Sequence, residues 1–147
     1  MAGPVIVIDA SVAVKWVLKE VGSPEALAFL LEARDFVAPD IILVEVGAAI
    51  AKRVHVGELP MNEAQRRLVR FRQLLEDTPL ELHPSAPLLD SALALSATLR
   101  HPLADCLYVA LARSLDGTLA TADRKLADAA ERAGLAGRVR RIPPQNA

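Results

Sequence analysis

The sequence holds a single cysteine, and aromatic residues make up only 3% of it. One thiol, Cys106, cannot close an internal disulfide, and its apolar surroundings suit an inert buried group better than a nucleophile. So few rings leave little for base stacking, and Trp16 and Tyr108 read as core residues. Charge of neither sign prevails. With 17 basic and 18 acidic residues the formal net charge is -1, so any polyanionic partner has to be held locally rather than by a whole-molecule field. No apolar run reaches membrane-spanning length, because the opening VIVI is broken at Asp9, and the first residues lack the basic leader of a signal peptide. The expectation is a soluble cytoplasmic protein without membrane association. Paired cysteines and HxxxH spacing, the usual marks of zinc, are both missing. His55 lies at a helix end, His83 and His101 each precede a proline, and none has triad-like spacing, so all three read as surface or loop residues.

What is present is a chain of 147 residues, 52% of them hydrophobic, which is enough for one domain around one core. Val5 to Ile8 is β-branched and wholly apolar, the pattern of a strand buried on both faces of a parallel sheet. Ser11 then reads as the cap of a helix that puts Val12, Ala13, Trp16 and Val17 on one face. Ser23 and Pro24 open a second helix to about Ala33. Phe36 to Ala38 reads as a short strand, followed by long helices over about Ile41 to Val56 and Met61 to Glu76. Leu80 to Leu82 gives a further strand, and helices follow from Ser85 to about Leu99 and from Leu103 to Leu115. Thr118 to Thr121 is a strand, Arg124 to Ala133 a helix, and Val139 to Ile142 a last short strand. Alternation of this kind predicts an α/β fold, with a mostly parallel sheet of four to five short strands flanked by helices, in a single domain over 1–147.

Most acids fall at helix ends, turns and polar faces, where solvated carboxylates belong. Four do not. Asp9 follows VIVI, Glu45 lies inside IILVEVGAAI, Asp105 inside LADCLYVALA, and Asp123 directly after TLATA. Burying an unpaired charge costs several kcal/mol unless something compensates it. Helix capping is an equal explanation for Asp105 and Asp123 taken singly, and a strand end remains open for Asp9. Glu45 is in the second turn of its helix among apolar neighbours, and neither capping nor a solvent stripe accounts for it. Asp9 and Asp123 leave strands at the carboxyl edge of a parallel sheet, where such folds bind ligands. Several ionised carboxylates in one pocket repel unless a cation joins them, and oxygen-only donors suit Mg²⁺ or Mn²⁺. A metal so placed lowers the pKa of bound water and stabilises charge in phosphodiester hydrolysis without a histidine base.

The segments VIVIDASVAVKW, VAPDIILVEVGAAIAKR, HPLADCLYVALA and TLATADRKLADAA resemble, in order and spacing, the PIN-domain ribonucleases, most closely the VapC-type toxins of bacterial toxin-antitoxin pairs. The resemblance covers nearly the whole chain. It implies that Asp9, Glu45, Asp105 and Asp123 form a catalytic, metal-binding quartet for Mg²⁺ or Mn²⁺ that activates water to cleave single-stranded RNA. It also implies supporting hydroxyls at Ser11 and Thr121, which have an equal claim to be plain cap and strand residues. A homodimer and a small cognate antitoxin, VapB-like, are expected on the same ground, with the helices between Ile41 and Glu76 as the clamp for that partner. This sequence departs from the pattern at Cys106, where Ala is common, at Leu126, where many members have Phe, and in lacking a further acid near Asp123, which bears on a second metal.

Lys52, Arg53, Arg66, Arg67 and Arg70 are candidates for RNA phosphates, although a solvated helix face is the commoner meaning of such a run. A phosphatase would need a second acid two residues after Asp9, where Ser11 stands, and a dinucleotide site would need GxGxxG after the first strand. The alternative that remains is a non-catalytic PIN-like module binding RNA or protein.

Overall fold

The computed structural model describes residues 5–32 and 35–143. Five parallel strands form its sheet: β1 (Ile6–Ile8), β2 (Phe36–Pro39), β3 (Leu80–His83), β4 (Thr118–Thr121) and β5 (Val139–Arg141), in the spatial order β3-β2-β1-β4-β5. Seven α-helices join them among the described residues: α1 (Ala10–Val17), α2 (Ser23–Leu30), α3 (Ile41–His55), α4 (Met61–Asp77), α5 (Leu89–Leu99), α6 (Leu103–Ser114) and α7 (Arg124–Ala130). Strand β1 is central, with Ile6 beside Phe36 on one side and Thr118 on the other, so its residues meet helices above and below and are all buried. That double coverage is why VIVI shows no polar alternation.

Parallel crossovers are right-handed, so the order of the strands sorts the helices. Moving from β1 to β3 the chain steps one way and lays down α1 to α4, which pack on one another. It then crosses back to β4 and β5, placing α5 to α7 on the opposite face. The reversal falls between β1 and β4. Their carboxyl ends therefore frame a crevice, held by the Asp9 amide donating to the Ala120 carbonyl at 3.0 Å.

One core runs through both layers, with Phe29, Phe36, Phe71, Ile42, Leu111, Leu119 and Leu126 essentially inaccessible. Gly117 is required where β4 begins, because a Cβ there would stand 2.6 Å from the Val5 carbonyl oxygen. No helix among the described residues is long and apolar enough to cross a membrane.

The sequence-based boundaries differ from the structure in physical detail. Ser11 does not cap α1, since Asp9 holds the cap position and the Ser11 hydroxyl turns back to the Asp9 carboxylate. Gly22, in the left-handed region with φ 91°, takes the cap position expected of Ser23, whose hydroxyl instead links Glu20 and Leu18. The helix expected from Ser85 opens as a 3-10 turn, Ala86–Leu88, and α7 gives way to a π turn, Glu131–Leu135, that ends in Gly134 at φ 96°. Ala33, the expected end of the second helix, lies outside the described residues.

Candidate functional site

Asp9 lies at the crevice because β1 runs out there, and it is almost completely enclosed, with 4% of its surface exposed. Thr121 ends β4 next to it. The Thr121 hydroxyl donates to Asp9 Oδ2 at 2.8 Å and the Ser11 hydroxyl to the same oxygen at 2.5 Å. The two hydroxyls are themselves fixed, Ser11 Oγ by the Ala122 amide and Thr121 Oγ1 by the Asp123 amide. Burial pushes the Asp9 carboxyl up to about 7, with repulsion from Asp105 and Glu45 adding to the shift and the two hydroxyl bonds opposing it.

The other three acids reach the crevice from different elements. Glu45 comes from α3 in one layer, half-buried, and Asp105 from the first turn of α6 in the other. Asp123 caps α7, accepting from the Lys125 and Leu126 amides at 2.9 and 3.2 Å. The helix-start alternative therefore describes the place of both, Asp123 as the cap of α7 and Asp105 in the first turn of α6 without a side-chain cap bond. Burial also raises the Glu45 and Asp105 carboxyls, and each feels further acids: Glu45 feels Asp105, and Asp105 feels Asp123. The quartet is thus one electrostatic unit.

Two residues that the sequence left outside the site belong to it. Tyr108, read as core, is fully enclosed, yet its hydroxyl donates to Glu45 Oε1 at 2.6 Å and so ties α6 to α3 across the sheet end. His101, read as a surface or loop residue, has a side chain only 12% exposed, with Nε2 2.9 Å from Asp105 Oδ2. The signal for it was a histidine four positions ahead of an out-of-place aspartate. His55 and His83 make no contact with the quartet.

A common pattern emerges in the four acids. Asp9 is held through Oδ2, Glu45 through Oε1, Asp105 through Oδ2 and Asp123 through Oδ1. Among the described residues, no donor reaches the second oxygen of any of them. Nor does any lysine or arginine pair with them, whereas Glu20, Glu58, Glu63, Asp116, Asp128 and Glu131 all hold such partners. Four oriented, uncompensated carboxylates suit a hard divalent cation by donor chemistry. No three His, Cys, Asp or Glu side chains among the described residues stand ready to enclose an ion by themselves. Magnesium does not need such a cage, since it keeps several waters and takes one or two carboxylates together with substrate phosphate.

Comparison with known proteins gives concordant results. The profile of the family described as PIN domain matches residues 6–132. Ribonuclease VapC3 of Pyrobaculum aerophilum is 30% identical over 123 residues, spanning 84% of this chain and 92% of that protein. The crystal structure of PAE2754 from Pyrobaculum aerophilum shares the fold with a TM-score of 0.66 at 18% identity, over 84% of this chain and 83% of that one. That of FitAcB from Neisseria gonorrhoeae has a TM-score of 0.55 at 19% identity, over 86% and 93%.

Proposed function

Because the chain belongs to the PIN-domain family, we propose that it is an endoribonuclease of the VapC kind, hydrolysing RNA phosphodiester bonds with Mg²⁺ or Mn²⁺ held by Asp9, Glu45, Asp105 and Asp123. The observation that carries this is the unused oxygen on each of four acids that no lysine or arginine neutralises. A bound divalent ion supplies an activated water and stabilises charge on the phosphoryl and leaving oxygens. The chain's own part is orientation. Ser11 and Thr121 fix Asp9 through Oδ2 and leave Oδ1 without a donor; Tyr108 does the same for Glu45 and His101 for Asp105. These donors leave the negative charge of Asp9 and Glu45 in place, where an arginine or lysine would cancel it.

On this reading the protein is the toxin of a cytoplasmic toxin-antitoxin pair, a homodimer checked by a VapB-like antitoxin. An apolar groove of about 310 Å³ between α3 and α4, lined by Ile50, Ala51, Val54, Met61, Ala64 and Leu68, supports docking of an antitoxin helix there.

Purified protein with Mn²⁺ is expected to cleave single-stranded RNA and to lose that activity in Asp9→Asn. Calorimetry with Mn²⁺ is expected to register binding that Glu45→Gln with Asp105→Asn removes. Equal Mn²⁺ binding in the double variant rejects the metal site, and RNA binding without cleavage would favour the non-catalytic module.

A further inference from the structure

The cations that the sequence marked for RNA are largely consumed by their neighbours. Arg53 pairs with Glu20 and Glu58, and Arg66 and Arg67 both pair with Glu63. Lys19, Lys52, Arg70 and Arg72 hold no carboxylate partner among the described residues, and the layer of α5 to α7 has further cations of this kind. Among the described residues Arg100, Arg113, Arg124, Lys125 and Arg132 have no carboxylate partner. Arg100 stands just before His101, and Arg124 and Lys125 just after Asp123, so three of them flank the acids in sequence.

The other two, Arg113 and Arg132, meet in an open groove of about 640 Å³ between α5, α6 and the π turn. Ser91 and Thr98 line the same groove, and their hydroxyls make no hydrogen bond among the described residues. The groove thus offers two unneutralised guanidinium groups and two unengaged hydroxyl donors, the chemistry that receives phosphate oxygens. Arg113 taken singly has a simpler explanation, since it lies in the last turn of α6, where a cation offsets the helix dipole. Arg132 lies likewise in the last turn of its helical segment, so the dipole accounts for each cation singly, but not for the two lining one groove with the hydroxyls.

Helix α6 relates this groove to the acids. It carries Asp105 in its first turn and Arg113 in its last, eight residues or about 12 Å along the axis. With phosphates about 3.4 Å apart in a stacked strand and further apart in an extended one, that is a span of roughly two to four nucleotides.

Resting on the ribonuclease reading, we infer that the groove of Arg113 and Arg132 is a phosphate subsite for the RNA strand a few nucleotides from the scissile bond. It contributes affinity for long substrates and no chemistry. The test compares wild type with Arg113→Ala/Arg132→Ala on a long single-stranded RNA and on a dinucleotide, whose one phosphate cannot occupy both the acids and the groove, both with Mn²⁺. For the long RNA, KM is expected to rise about tenfold with kcat unchanged, and the slope of log(kcat/KM) against log salt to shrink by about 1.4. For the dinucleotide neither constant is expected to move. An unchanged KM on the long RNA, or an equal rise on both, overturns the inference. A loss of dimer in the double variant with RNA kinetics unchanged also overturns it, and assigns the groove to protein. Anisotropy of the labelled long RNA in EDTA keeps the two readings apart. Weaker binding by the double variant supports the groove even if no cleavage is found, while equal binding rejects the groove and leaves the nuclease reading standing.

Discussion

Replacing Asp9 by asparagine should make the metal-free protein more stable while abolishing its proposed activity. The Asp9 carboxyl is raised from 3.8 to about 7, chiefly by burial. The folded chain therefore holds its proton more tightly than the unfolded chain does. Stability from this group is complete below pH 4 and is lost as pH rises toward 7. A shift of about 3 units at 1.36 kcal/mol each amounts to about 4 kcal/mol at pH 8 when no cation is present. Asparagine has no charge to bury. Its amide oxygen accepts from Ser11 and Thr121 as Oδ2 does, and its NH₂ group takes the place of Oδ1, which holds no donor. For a domain of this length each kcal/mol moves Tm by about 2 to 4 °C, so the variant should melt up to about 8 to 16 °C higher in EDTA at pH 8. At pH 4 the difference should nearly vanish. Thermal unfolding by circular dichroism at both pH values measures this directly. A variant melting at or below wild type at pH 8 would refute the argument that Asp9 is a buried charge awaiting a cation.

Mn²⁺ at a hundredfold its dissociation constant should stabilise wild type by about 2.7 kcal/mol and leave Asp9→Asn unmoved, which a melt with and without the ion reads; equal shifts in both would place the ion elsewhere. Tyr108→Phe removes the 2.6 Å bond to Glu45 without changing the ring, so kcat is expected to fall about tenfold or more with Tm lowered by a few degrees, and unchanged turnover would dismiss Tyr108 as a positioning residue. Gly117→Ala sets a Cβ against the Val5 carbonyl oxygen at 2.6 Å and is expected to cost about 1 to 3 kcal/mol by denaturant titration, a result that a neutral midpoint would contradict.

The parallel sheet was legible because its central strands are buried on both faces, so that VIVI is wholly apolar and TLAT carries no charge, only two β-branched threonines. Glu45 stood out for a related reason, since a carboxylate inside an apolar helix has no ordinary use. What stayed hidden depends on partners far apart in sequence. Tyr108 and a plain core tyrosine present the same apolar ring pattern, and only the direction of the hydroxyl toward Glu45, 63 positions away, separates them. His101 was discounted because it precedes a proline, yet that proline starts α6 and brings the ring beside Asp105. Ser11 looked like a cap because serine two residues after a strand usually is one, and nothing local reveals that Thr121 converges on the same oxygen. The basic run on α3 and α4 is only partly taken up, since Glu20, from another element, pairs with Arg53 while Lys52 and Arg70 hold no carboxylate partner among the described residues.

The nature of the supporting groups decides between a structural and a functional quartet. Acids held for stability are joined to cations, as Glu32 is to Arg140 and Asp128 and Glu131 are to Arg141, because opposite charge is the cheapest compensation available. The four acids of the crevice are instead held by hydroxyls, backbone amides and an imidazole, groups that fix direction and leave most of the charge unspent. Burying these carboxylates beside one another without a cation destabilises the folded chain, as the carboxyls of Asp9, Glu45 and Asp105 express, raised first by burial and further by their mutual repulsion. Such an arrangement persists where the missing positive charge comes from outside the chain. The crevice lies at the switch between β1 and β4, where two strand ends and a helix from each layer bring the four acids within electrostatic reach of one another.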